Sequence, residues 1–201
     1  MSRAAAKKAN SRGTWEGNIF TEGYIEVLRH RRMLPPAKLV AVRLPGGEGS
    51  LTPQDGEVVV FTEHCFRGFG LPVSDFFSRF LVHFGLQPHH FAANAILQLA
   101  SFVTLCEGFL GIEPRLYLWH QLFFFKQQLV LGDALGTMKM TPCGASLVHH
   151  RTASGFPKLP LQYSVKKWQK GFCYVKNVDL ENDCINLPPP FVIAPPRAKQ
   201  N

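Results

Sequence analysis

The sequence predicts an α+β domain, in which a layer of three helices packs with a small, mostly antiparallel sheet made from flanking strands. Two observations lead there. Between residues 72 and 124, apolar residues recur at helical spacing in three consecutive stretches. On either side lie short segments rich in β-branched and aromatic residues, set apart by Gly/Pro turns.

The helices are expected at about 73–85, 92–110 and 114–124. The first has Ser74 as N-cap and Gly85 at its end, and Phe77, Phe80, Leu81 and Phe84 fall at i, i+3, i+4 and i+7 on one face. The second ends near Gly111. The third starts after Pro114 and carries Leu116, Leu118, Trp119 and Leu122. Strands are expected in "EVVVFTEHC" (57–65), "GASLVHHR" (144–151) and "GFCYVKN" (171–177), and "LFFFKQQ" (122–128) either ends a helix or begins a strand. Upstream, "TEGYIEVLRHRRML" (21–34) reads as a short helix with Thr21 at its start, stopped by Pro35-Pro36. The Gly/Pro-rich 43–56 reads as a loop or linker. The expected division is therefore a basic, largely disordered arm (1–56), a folded domain (57–178) and a Pro-rich tail (179–201).

The chain has 201 residues and a net charge of +8, and the distribution of that charge is more informative than the total. Residues 1–43 hold nine Lys/Arg against three Glu, so the excess sits mainly in the arm and the body is close to neutral. Such arms bind polyanions cheaply and without sequence preference. Five cysteines, at 65, 106, 143, 173 and 184, form no C-x-x-C pair, and no apolar signal core opens the chain. Reduced thiols and an intracellular, nuclear or cytoplasmic protein that is not secreted are expected.

The apolar stretch 91–112 is long enough to cross a bilayer only if its polar residues are ignored. Asn94, Gln98, Ser101, Thr104 and Glu107 recur every three or four residues, opposite Ile96, Leu99, Val103 and Leu110, which suits a half-buried helix and no membrane partner. The adjacent pair His89-His90 precedes this helix. Neighbouring side chains on extended chain point apart, so the pair marks a helix entry better than a metal site. No catalytic, metal-binding or cofactor-binding residues are expected. There is no phosphate-binding Gly-Lys-Ser/Thr loop, no nucleophile elbow and no zinc knuckle. A two-metal nucleic-acid enzyme needs converging carboxylates. Asp75, Glu107, Glu113 and Asp133 would have to supply them from separate segments.

The candidates for nucleic-acid contact are Arg29, Arg31 and Arg32 in the arm, and Lys166, Lys167, Trp168, Lys170 and Lys176 in "SVKKWQKGFCYVK" (164–176). Lysines neutralise phosphates and exposed aromatics stack on bases. The competing reading of the second group is a terminal strand whose aromatics fill the core while the lysines face water.

Three ordered strings, "GFGLPVSDFFSRFLVHFGLQPHH" (68–90), "NAILQLASFVTLCEGFLGIEPRLYLW" (94–119) and "SVKKWQKGFCYVKN" (164–177), resemble the gypsy-type transposon, or transposase, domain family found in plant retroelements. The resemblance implies a retroelement-derived protein and brings no catalytic residues with it. Relatives often carry two aromatics before the Tyr-Val of the last strand, where this chain has Phe172-Cys173. The function expected is a non-enzymatic structural or interaction module, Gag-like, that contacts DNA or RNA and associates with itself or with other element-encoded proteins. The alternatives are a metal-dependent transposase-like nucleic-acid enzyme and a truncated product without present function.

Overall fold

A computed structural model describes residues 18–46, 48, 51–126, 129–131, 138–140, 146–149, 165, 168–179 and 181–188. Its architecture is α+β. The main sheet has three antiparallel strands in the order β1 (Val40–Arg43), β7 (Phe172–Asn177), β2 (Glu57–Phe61). The central strand is thus the last one in the sequence, with Val175 opposite Val42 on one side and Val58 on the other. Alternation along the strands sends side chains to opposite faces. Val60, Cys173 and Val175 face the main core, whereas Val59, Phe61, Phe172 and Tyr174 face a second, smaller core with Trp168. Cys173 is fully buried.

Helix α1 spans Glu22–His30 and a single helical turn, α2, spans Thr62–Cys65. The longer helices α3 (Asp75–Phe84), α4 (Ala93–Thr104) and α5 (Leu116–Leu122) follow. Helix α3 forms as its sequence dictates: the Ser74 hydroxyl accepts from the Phe77 N–H, and Gly85 closes the helix in the left-handed region at φ 61°. Helix α4 widens into a π-helical turn over Leu105–Leu110 before Gly111 ends it. The run Ala93–Leu110 is long and apolar enough to span a bilayer by length and composition. In this fold Ile96, Leu99, Phe102 and Cys106 are packed into the core, and so is Gln98 from the predicted polar stripe. Phe109 is exposed on the π turn.

The three helices meet through rings. Phe80 of α3 lies against Phe76, Phe84, Phe91, Trp119 and Phe125, and Phe76 contacts Phe102 of α4. Gly68, at φ 92°, brings the preceding turn onto α4, where an added Cβ would stand 2.7 Å from the Cβ of Ala100.

Several expectations are corrected by long-range contacts. Helix α1 stops at His30, not near residue 34, because the Met33 and Leu34 amides both turn back to the Leu28 carbonyl. The strand predicted over 57–65 ends at Phe61. Thr62 makes one more backbone bond, to the Gly171 carbonyl, and the chain then turns helical. The third helix ends at Leu122 because Phe123–Lys126 (β3) pairs with Ser146–His149 (β6). Between them in the sequence, β4 (Leu129–Leu131) pairs antiparallel with β5 (Met138–Met140).

The described part of the N-terminal segment is core structure rather than an arm. Phe20, Leu28, Leu34 and Val40 are buried, and β1 belongs to the main sheet. The described residues of the 43–56 loop are likewise pinned. Arg43 reaches Glu57 at 2.7 Å and Glu48 at 2.9 Å and lies 4.0 Å over the Tyr174 ring, and the Tyr174 hydroxyl accepts from the Thr52 amide. Residues 181–188 also join the fold. Ile185 is buried, its carbonyl accepts from the Val73 amide, and the Asn186 side chain donates to the Val73 carbonyl and the Asp75 carboxylate.

Candidate nucleic-acid interface

The residues singled out for nucleic-acid contact fall into different environments. Trp168 is buried, at 6% exposure, stacked on His64 and edge-on to Phe61. Its face is covered by protein, as are Phe172 and Tyr174, so in this segment the rings fill the core. Lys170 is half-buried, and its carbonyl accepts from the Ile19 amide. Lys176 is exposed, with its ammonium 3.1 Å from the Asp55 carbonyl and its stem lying along Gly56. Lys166 and Lys167 lie outside the described residues.

The three arginines of α1 separate in the same way. Arg29 is a structural link. Its guanidinium donates to the Pro35 and Val40 carbonyls at 3.3 and 3.5 Å and fastens the helix to the entry of β1. Arg31 and Arg32 point outward from the helix end. The Arg32 N–H bonds the Arg29 carbonyl and the Met33 N–H bonds the Leu28 carbonyl, which is a Schellman closure with Arg32 in the left-handed position at φ 58°. Glycine is the residue this position favours, because a Cβ there meets the following carbonyl. Both side chains are exposed, and neither makes an ion pair among the described residues.

A second turn lies against this one. The Leu71 N–H donates to the Met33 carbonyl at 3.0 Å. Phe66 and Arg67 follow α2 at the start of that turn. The Arg31 guanidinium sits 5.4 Å from the centroid of the Phe66 ring, within cation–π range, and Phe66 remains 41% exposed. Arg31 also borders a shallow concavity with Glu26, Val27 and His30. Arg67 is half-buried, and its Nε has no hydrogen-bond partner among the described residues. The result is two adjoining turns that carry Arg31, Arg32, Arg67 and a half-open aromatic ring. Sequence reasoning found Arg31 and Arg32 but missed Phe66, which falls between the expected strand and the turn after it, and Arg67, which reads as the first residue of the Gly-rich turn "RGFGLP" (67–72).

Elsewhere the ionisable groups serve the fold. The Thr52 and Tyr174 hydroxyls, followed by Arg43, hold the Glu48 carboxyl down to about 2. Burial holds His64 at about 3, and its Nε2 lies 3.2 Å from the Phe91 carbonyl, which assigns the proton of the neutral ring to Nε2. His89 is held near 4, by burial and then by the adjacent His90. Burial pushes the Cys65 thiol up to about 12, which keeps it protonated and unreactive at neutral pH. Of the acids weighed for a metal centre, Glu113 is engaged by Arg79 and Arg115, and Asp75 by Asn186. Glu107 is exposed on the π turn, and Asp133 lies outside the described residues. Among the described residues, no three His, Cys, Asp or Glu side chains gather closely enough to hold a metal ion.

An α+β domain with a helical aromatic core and a basic double turn is what the geometry defines. Residues 58–127, roughly a third of the chain running from β2 through β3, match the family model described as gypsy type transposon. The matched segment includes Phe66 and Arg67, whereas Arg31 and Arg32 precede it. No curated protein and no solved structure matches the chain.

Proposed function

We propose that this transposon-family domain is a non-enzymatic interaction module that holds nucleic acid without reading its sequence, using Arg31, Arg32 and Arg67. The observation that carries this reading is the joining of two turns that carry these arginines, Arg31 and Arg32 with exposed side chains, and with no carboxylate ion-paired to any of the three among the described residues. Guanidiniums match phosphate oxygens through paired donors, and being more weakly hydrated than ammonium groups they exchange water for phosphate at lower cost. Cations presented in this way bind the backbone, which every sequence shares. Further basic residues at Arg3, Lys7, Lys8 and Arg12 add to the same charge.

The test is the salt dependence of binding. Each phosphate contact on duplex DNA contributes roughly −0.9 to the slope of log affinity against log salt. The double variant Arg31→Ala/Arg67→Ala should flatten that slope by about 1.5–2 and weaken binding roughly equally for unrelated sequences. Titrations of a labelled duplex at several salt concentrations, with circular dichroism to verify folding, measure both quantities. Salt-insensitive binding, or an unchanged slope in the double variant, contradicts the proposal.

A further inference from the structure

We infer that the preferred ligand of the double turn is a single-stranded nucleic acid, one of whose bases stacks on Phe66. This rests on the polyanion-binding reading above and names its ligand class. A surface that only holds phosphates needs cations and polar donors. A large exposed aromatic adds nothing to it, because a duplex keeps its base faces inside the stack. Phe66 is such an aromatic. It caps the C-terminal end of α2, its backbone is fixed by a bond from its N–H to the Thr62 carbonyl, and it is 41% exposed beside Arg31, with Arg67 next in the chain.

The neighbours of the ring fit the same ligand. Arg31 stands over it at 5.4 Å, a loose distance for a guanidinium on a ring. A base arriving on that face takes the place of the guanidinium and frees it for the adjoining phosphate. Arg67 is next in the chain, and Val27, 41% exposed, borders the concavity that Arg31 shares, extending the apolar ground beside the ring. Glu63 on α2 and Glu26 on α1 are the acids nearest along the chain. The arrangement resembles the one sought in 164–176, a ring among cations, with Phe66 in the place where Trp168 was expected.

The experiment is fluorescence anisotropy of the full chain with short labelled oligothymidylate and oligouridylate, and with a duplex of equal length. The variants are Phe66→Leu, which keeps an apolar side chain without a π face, and Phe66→Tyr, which keeps the face. Phe66→Leu should weaken single-strand binding by about tenfold while leaving duplex binding within about twofold, and Phe66→Tyr should bind as the parent does. Tighter binding of oligouridylate or of oligothymidylate tells RNA from DNA, and either result supports the inference. Equal affinity of Phe66→Leu and parent for single strands overturns it, as does an equal loss on duplex and single strands, which would mean that Phe66 acts only by placing Arg31. In both cases salt-dependent polyanion binding would survive, whereas absence of binding to all three probes overturns the broader reading as well.

Discussion

Phe80→Ala should destabilise the protein by about 3–5 kcal/mol, the usual cost of removing a large buried ring. The residue is fully buried and its ring meets five others, from α3, α5, β3 and the turn before α4. Trp119 and Phe91 are themselves fully buried, so the space left behind cannot be refilled from the surface. Small domains have only about 5–15 kcal/mol of stability in total. A loss of this size should lower the urea midpoint by about a fifth or more and abolish the near-ultraviolet signal of Trp119 early in the titration. Phe80→Leu should cost roughly 1–2 kcal/mol, since it keeps most of the volume. A loss below about 1.5 kcal/mol for the alanine variant would mean that the ring cluster closes over the gap, contrary to the packing described.

The second large effect is acid lability from His64. Its ordinary value is 6.5, and burial holds it near 3 in the folded state. Above pH 6.5 the ring is neutral in both states and contributes no pH dependence. As pH falls below 6.5 the unfolded chain takes up a proton that the folded chain refuses, so stability declines until about pH 3, where both states are protonated. The loss by pH 5 is about 2 kcal/mol relative to pH 7.5, from 1.36 kcal/mol per pH unit over the interval. His89, also held low, adds in the same direction. Carboxylates held below their usual range, such as Glu48 and Asp179, lose their contribution at lower pH, so the window from 6.5 to 5 isolates the histidines. Urea unfolding at pH 7.5, 6 and 5 measures the slope. His64→Gln keeps a donor for the Phe91 carbonyl and should flatten it. An unchanged slope in that variant would contradict the assignment.

What could be read from the sequence was what is local. Helix α3 announces itself because cap, apolar face and closing glycine lie within a dozen residues and need no partner. The strand expected over 171–177 is β7, but its place in the middle of the sheet depends on β1 and β2, both far upstream. β1 itself is four residues between prolines, too short for alternation to stand out. The same limit governs the site. An aromatic among lysines reads alike whether the ring points in or out. Trp168 points in because His64 and Phe61, a hundred residues earlier, make a slot for it. Phe66 points out beside Arg31 because the Leu71–Met33 backbone bond brings two turns together, and no pattern in either turn encodes the other.

Arg32→Gly tests most directly the claim that the helix-end arginines are there to hold nucleic acid. Arg32 occupies a left-handed position that costs a residue with a side chain about 1 kcal/mol relative to glycine. Glycine should relax the Schellman turn and leave stability unchanged or raise it by up to about 1 kcal/mol, after allowing for its greater freedom in the unfolded chain. Measured on the same sample, affinity for a labelled oligonucleotide should fall and the salt slope should flatten by about 0.7–0.9, one phosphate contact. Opposite movements of stability and affinity are the predicted result. An affinity and slope equal to the parent's, in a variant at least as stable, would contradict the account.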